Sequence, residues 1–108
     1  MNTKYKGKKA EEKAVKFLEK NGFKIVEKNF YCKNGEIDII AYKNDVFHFI
    51  EVKSGKTFEP IYNITYKKLS KIIKCAYFYI QKNNIHSAFC IDAIIIKKEI
   101  EFIENITI

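Results

Sequence analysis

Apolar side chains recur at two different spacings along this chain of 108 residues, and each spacing predicts one kind of element. Helical spacing marks residues 7–21 and 65–82. The first helix meets a stop signal at Asn21-Gly22, while the second follows a favourable N-cap, Thr65, and ends at Asn83-Asn84. Segments with β-forming composition and alternation predict five strands, at 23–30, 36–43, 46–53, 88–97 and 100–107. Loops are predicted at Lys33-Asn34-Gly35 and through Pro60.

The order α-β-β-β-α-β-β predicts an α/β fold in which helices flank a mixed central sheet of about five strands. A chain of this length is most simply one domain, spanning 1–108. No apolar run approaches the roughly 18 residues of a membrane span, and the N-terminus leads into charge rather than into an apolar signal segment. We therefore expect a cytoplasmic protein with no membrane partner.

The strands at 36–43 and 46–53 form a predicted hairpin closed by the two-residue loop Asn44-Asp45, which places Lys43 opposite Val46. Side chains alternate between the two faces of a strand. One face of this hairpin is mostly apolar and is expected to meet a helix; it comprises Ile37, Ile39, Ala41, Val46, His48, Ile50 and Val52.

The same register gathers charged side chains at one end of the other face. Asp38 falls opposite Glu51, and Glu36 opposite Lys53. Cross-strand Cβ atoms lie roughly 4.5–5.5 Å apart, and like charges placed opposite each other are destabilising. A divalent cation between the two carboxylates would relieve that repulsion. Solvated acids, or a salt bridge from Glu36 to Lys53, are the alternative.

Oxygen ligands of this kind favour Mg²⁺ or Mn²⁺ as the cofactor. The predicted metal ligands are Asp38, Glu51 and the backbone carbonyl of Val52. Lys53 shares the face of Glu51, where its ammonium could orient a nucleophilic water or offset charge on a phosphate. Glu11 lies on the inward stripe of the first helix and could support the metal directly or through water. These residues predict a catalytic set for phosphodiester hydrolysis.

Charge is distributed unevenly along the chain, which carries a net charge of +7. Lysine dominates 1–34 and 61–98, whereas acidic residues outnumber lysine in 35–60. An acidic centre between basic arms fits a metal site flanked by surfaces that attract a polyanion. The second helix carries a basic sector suited to phosphate contacts, formed by Lys67, Lys68, Lys71 and Lys74. A solvated lysine-rich exterior is the competing interpretation.

The cysteines and histidines are predicted to have structural roles. Cys32, Cys75 and Cys90 are odd in number and widely separated, which predicts buried free thiols rather than a disulfide framework or a zinc site. His48 lies on the apolar hairpin face and is predicted to be a hydrogen-bonded core residue. His86 is predicted to lie in a loop.

Three motifs, Glu11-x-x-Ala14, Gly35-Glu36-x-Asp38 and Phe49-Ile50-Glu51-Val52-Lys53, resemble the signature of the YraN-like uncharacterised protein family. That family is assigned to the restriction-endonuclease-like superfamily with its PD-(D/E)xK site, which includes archaeal Holliday-junction resolvases. The resemblance covers nearly the whole chain. It implies a restriction-endonuclease-like fold whose metal and catalytic positions are Glu11, Asp38, Glu51 and Lys53. The chain departs from the family pattern at Ala10, Ser54-Gly55 and Cys90.

We therefore predict a nucleic-acid-binding, metal-dependent nuclease-like protein that hydrolyses phosphodiester bonds, with DNA as the favoured partner. The absence of arginine leaves no bidentate guanine readers, so structure-specific or nonspecific binding is expected. The alternative is a non-catalytic module that keeps the nuclease fold and binds nucleic acid or a protein. A homodimer is left open, because resolvase-like relatives act as symmetric dimers.

Overall fold

The structure is a computed structural model that describes residues 3–33, 35–55 and 64–107. Its helices and strands are α1 (Thr3–Lys20), β1 (Lys24–Cys32), β2 (Gly35–Lys43), β3 (Val46–Ser54), α2 (Tyr66–Lys82), β4 (Ala88–Ile96) and β5 (Ile100–Ile103). The predicted element order is confirmed. The loop expected through Pro60 and residue Asn34 of the turn before β2 lie outside the described residues. Neither helix combines the length and apolar content that a bilayer-crossing segment needs.

The five strands form one mixed sheet in the order β1-β2-β3-β4-β5. Neighbouring strands are antiparallel except β3 and β4, which run parallel. Two parallel strands cannot be joined by a tight turn, and here the connection between them carries α2. The sheet therefore has one crossover, which places α2 against a face of the sheet.

The helices cover opposite faces of the sheet. Side chains of α1 pack with Ile39, Ala41 and Ile50, whereas side chains of α2 pack with Ile40 and Phe49. Successive residues of a strand point to opposite faces, so these two sets define two cores. The predicted apolar hairpin face is the one that meets α1.

The β2–β3 hairpin closes as the sequence predicts. Asn44 and Asp45 have φ angles of 51° and 64°, and a tight hairpin turn of this kind requires positive φ at both central residues. The pairing runs from Lys43 with Val46 to Ile39 with Ile50. This register is the predicted one.

Ile37 corrects the predicted assignment of faces. It was expected beside Ile39 but belongs to the core formed with α2. Ile37 lies beyond the last β2–β3 pair and is paired with Phe30 of β1, which belongs to the same core. Alternation counted along the β2–β3 hairpin therefore does not extend to this position.

The prediction of three free thiols is wrong for two of them. Cys32 at the end of β1 and Cys75 in α2 form a disulfide with Cα atoms 5.8 Å apart, while Cys90 is free. The two bonded cysteines are separated by 43 positions, and their spacing carries no information about the packing of α2 against β1. The bond fastens the helix to the end of the strand.

Thr65 provides a direct test of how α2 begins. Its side chain accepts a hydrogen bond of 3.1 Å from the backbone N–H of Lys68, the N-cap interaction predicted from the sequence. Thr65→Ala should lower the free energy of unfolding by about 1 kcal/mol, because a donor of the first turn loses its partner. Equilibrium urea unfolding measures this. Thr65→Ser, which keeps the hydroxyl, should retain most of the stability, and equal losses in both variants would contradict the capping role.

Candidate functional site

The candidate site lies where β2 and β3 stop pairing. Their ladder reaches Ile39 and Ile50 and goes no further, although β2 continues to pair with β1, and β3 with β4. The next residue of β2, Asp38, uses its side chain instead: its Oδ2 accepts a hydrogen bond of 2.8 Å from the backbone N–H of Val52. This bond fixes the carboxylate against β3.

Asp38 and Glu51 bring two carboxyl groups together inside the protein. Their residues are only 6% and 5% exposed. Burial, followed by the charge of Glu51, raises the pKa of Asp38 to about 7, and the Val52 N–H opposes that rise. A hydrogen bond between the two carboxyl groups also favours the protonated form of Asp38. Ionisation of Asp38 beside Glu51 is therefore disfavoured in the small space that the two groups share.

Two lysines supply positive charge beside the carboxylates. Lys68 reaches in from α2 and places its Nζ 3.2 Å from Glu51 Oε1. Lys53 follows two residues after Glu51 on β3 and is half-buried. The Glu36–Lys53 opposition expected from the register does not form, because the β2–β3 ladder ends before reaching them. Glu36 instead lines the neighbouring cleft.

The lysines differ in how readily they give up a proton. Burial and then the adjacent Lys68 lower the pKa of Lys53, against the opposing effect of Glu51 and Asp38. Burial also acts against the charge of Lys68, but its hydrogen bond with Lys53 and the charge of Glu51 outweigh that effect and raise its pKa. Lys68 therefore holds its proton more firmly than Lys53 does. Lys53 is the better placed to exchange a proton.

Glu11 reaches the edge of this group from α1. The carboxyl group is half-buried, and burial followed by the charge of Asp38 raises its pKa, while a hydrogen bond from Asn29 lowers it. Among the described residues, the ligand oxygens of Glu11, Asp38 and Glu51 do not all lie within 4.8 Å of one another. Two oxygens bound to one Mg²⁺ are at most about 4.2 Å apart. In this arrangement Glu11 could support an ion through water but could not join both other carboxylates as a direct ligand.

A cleft of about 400 Å³ opens beside Glu51. One wall is formed by Gly35 and Glu36 at the start of β2, and the other by the first turns of α2. Three of the four lysines predicted to contact phosphate line this cleft: Lys67, Lys68 and Lys71. Lys74 is exposed further along α2 and is not one of the lining residues.

The ion pair between Lys68 and Glu51 was missed by sequence reasoning, which assigned Lys68 to the phosphate-contacting sector. The spacing of lysines along a helix says nothing about which strand that helix meets. Asp38, Glu51, Val52 and Lys53 do lie together, as their positions along the hairpin predict.

The fold and the site define an α/β protein with a buried pair of carboxyl groups and two lysines at the open end of a mixed sheet. The model of Uncharacterised protein family UPF0102 matches residues 10–96, and the chain belongs to this family. The predicted resemblance to the YraN-like family is thereby confirmed. The matched segment contains every residue of the candidate site.

Relatives from several bacteria match the chain over almost its full length. A UPF0102 protein of Wolinella succinogenes is 58% identical over 104 residues, which cover 95% of this chain and 96% of the relative. One from Helicobacter hepaticus is 55% identical over 109 residues, covering 100% and 99%. One from Aliarcobacter butzleri is 57% identical over 108 residues, covering 97% and 98%. The alignments therefore span nearly the full length of this chain and of each relative.

The raised pKa of Asp38 predicts how the stability of the protein depends on pH. Because the folded-state pKa of about 7 exceeds the ordinary value of 3.8, the folded protein binds more protons than the unfolded chain between these values. In the absence of divalent metal, the free energy of unfolding should fall as pH rises from about 4 to about 7. Asp38→Asn should flatten this fall, and urea unfolding across that range measures it.

Glu19→Gln is the control for that experiment, because it removes an exposed carboxylate of α1 outside the site. Its stability should follow pH as the wild type does. Parallel curves for the wild type and Asp38→Asn would show that the Asp38 carboxyl group titrates normally and would contradict the described electrostatics.

Proposed function

We propose that this chain is a metal-dependent, nuclease-like protein that binds nucleic acid and hydrolyses phosphodiester bonds, with DNA as the favoured substrate. The observation that carries the proposal is the buried pair of Asp38 and Glu51 beside a lysine-lined cleft. A carboxylate pair of this kind needs a cation, and a polyanion is the ligand that a lysine-lined wall attracts.

The donor set at the base of the cleft fits a hard divalent ion. It consists only of oxygens, from Asp38, Glu51 and the carbonyl of Val52, and Mg²⁺ or Mn²⁺ prefers such ligands. The raised pKa of Asp38 supports the same assignment, because burial and then the charge of Glu51 disfavour its carboxylate form, which a bound cation would stabilise. When bound, the ion would act as a Lewis acid on a phosphoryl oxygen and lower the pKa of a coordinated water.

The remaining residues of the site have distinct roles in this proposal. Lys53 would orient the attacking water or offset the charge that builds on the phosphate. Glu11 would hold the water shell of the ion from the side of α1. Lys67 and Lys71, both exposed on the wall of the cleft, would neutralise backbone phosphates. With no arginine in the chain, binding would follow the shape of the nucleic acid rather than its base sequence.

A second candidate function is a binding module that retains the fold without catalysis. The ion pair between Lys68 and Glu51 favours it, because that ammonium offsets the Glu51 charge without any metal. Such a module would bind nucleic acid in a salt-sensitive manner, or bind a protein partner, and would leave phosphodiester bonds intact. The two candidates differ in whether a divalent ion displaces Lys68 from Glu51.

Cleavage assays separate the two candidates. Purified protein is incubated with single-stranded, linear duplex and four-way-junction DNA in Mg²⁺, in Mn²⁺ and in chelator. We expect metal-dependent cleavage by the wild type. Asp38→Asn and Lys53→Ala should each lower the rate by at least about 100-fold, because loss even of a group that only supports a metal ligand can cost that much. Glu19→Gln, outside the site, should cleave as the wild type does.

Each result of these assays has a clear meaning. Cleavage that survives unchanged in Asp38→Asn and Lys53→Ala would overturn the proposed catalytic site. Salt-sensitive binding of DNA by the wild type, with no cleavage of any substrate in either metal, would establish the binding module instead.

The cleft-lining lysines can be tested independently of catalysis. Lys71→Ala should weaken DNA binding and reduce the slope of log affinity against log salt concentration by about 0.9 for duplex or about 0.7 for a single strand. Lys82→Ala removes the same charge from the same helix about 16 Å further along and should leave the slope unchanged. Fluorescence anisotropy over a range of salt concentrations measures both. Equal effects would show that net charge, not the cleft, determines binding.

A further inference from the structure

A second group of potential metal ligands lies on the opposite face of the sheet from Glu51. His48 points to the α1 side, where its ring packs edge-on against Phe23 with ring centroids 5.0 Å apart. Cys90 and Asp92 of β4 lie beside it. We propose that His48, Cys90 and Asp92 bind one Zn²⁺ ion, at a site separate from the carboxylate pair.

The parallel pairing of β3 with β4 assembles this group. His48 is directly paired with Cys90 across the two strands. Asp92 follows two residues later on β4 and therefore shares the face of Cys90. Sequence spacing did not predict the group because two of its members are 42 positions apart along the chain. The prediction that His48 is a buried, hydrogen-bonded residue is confirmed.

The three ligand atoms lie close together, and the hydrogen bonds between them would widen around an ion. His48 Nδ1 lies 2.5 Å from Asp92 Oδ2, and Cys90 Sγ lies 3.2 Å from both His48 Nδ1 and Asp92 Oδ1. The ligand atoms of the three residues all lie within 4.8 Å of one another, and among the described residues only this group of three or more does so. With Zn–N and Zn–O bonds of about 2.0–2.2 Å and Zn–S bonds of about 2.3 Å, all three can reach one ion.

The donor set and its charge select zinc over magnesium. Imidazole nitrogen, thiolate sulfur and carboxylate oxygen together favour a borderline-soft ion. On binding, the Cys90 thiol would release its proton to solvent, and the imidazole proton would move from Nδ1 to Nε2 so that Nδ1 can coordinate the ion. The thiolate and the Asp92 carboxylate then balance the two positive charges of the ion, so the buried site becomes neutral.

The metal-free group is held together by protons that an ion would replace. Burial, followed by the charge of Asp92, raises the pKa of Cys90 to about 12, so the thiol is protonated without metal. Its S–H and the imidazole N–H then both point to the Asp92 carboxylate. Metal ions deprotonate a coordinated thiol outright, so this raised pKa does not prevent binding.

The surroundings provide both an entry route and a support for the ligands. His48 and Cys90 line a cavity of about 230 Å³ that Glu104 also lines, which leaves a fourth coordination position for water or that carboxylate. Lys43 lines the cavity too, but its Nζ donates a 2.7 Å hydrogen bond to the carbonyl of Asn21. The N–H of Asn105 donates a 2.7 Å hydrogen bond to Asp92 Oδ1 and orients it. A bound ion would thus link β3 to β4 and, through Asp92 and Asn105, to the segment that follows β5.

Titration of the full chain with Co²⁺ and Zn²⁺, without reductant, tests this site. Co²⁺ should produce a thiolate-to-cobalt charge-transfer band in the near ultraviolet, and one equivalent of Zn²⁺ should abolish it. Cys90→Ala should weaken Zn²⁺ binding by at least about 100-fold, because a direct ligand is lost. Zn²⁺ should also raise the melting temperature of the wild type and not that of Cys90→Ala.

The double variant Asp38→Asn/Glu51→Gln is the control, since it removes the other carboxylate pair and should keep both the cobalt band and Zn²⁺ binding. Absence of the band in the wild type would overturn the proposal without depending on the folding of any variant. Unchanged Zn²⁺ binding by a folded Cys90→Ala, verified by circular dichroism, would also overturn it. Loss of the band in the double variant would assign the ion to the other site.

Discussion

The hydrogen bond from the Val52 N–H to the Asp38 carboxylate holds the candidate site together. It forms at the position where the backbone ladder between β2 and β3 ends, and it replaces the next ladder contact with a charged side chain. A buried carboxylate is costly unless it is hydrogen-bonded or paired. This one bond satisfies an oxygen of Asp38 and leaves the carboxyl group beside Glu51, so the opening of the sheet and the accumulation of negative charge have the same origin.

The chemistry of the site depends on how that negative charge is neutralised. Lys68 already contacts Glu51 from α2, while Asp38 retains a pKa of about 7 because burial and the Glu51 charge outweigh its favourable contacts. An oxygen-only donor set favours a hard divalent ion, yet the lysine competes for the same carboxylate. The two proposed functions, catalysis and simple binding, thus correspond to two ways of balancing one charge. The same α2 contributes both the competing ammonium and the cleft wall.

Alternation along β3 separates two kinds of ligand. Glu51 faces α2 with oxygen donors, whereas His48 faces α1 and meets a thiol and a carboxylate of β4. The parallel pairing with β4 is essential to the second group, because it brings Cys90 level with His48. A single strand thus supports the proposed magnesium site on one face and the proposed zinc site on the other.

The sequence by itself determined the elements whose causes are local. The Asn44-Asp45 turn set a hairpin register that brings Asp38 close to Glu51 where the ladder ends, and Thr65 set the start of α2. Tertiary structure alone decided the Cys32–Cys75 bond, the Lys68–Glu51 ion pair and the packing of Ile37 with the α2 core. Backbone preferences act between near neighbours and can be derived from spacing. These other contacts join positions brought together only when a helix docks on the sheet, and which strand a helix face meets is determined by packing.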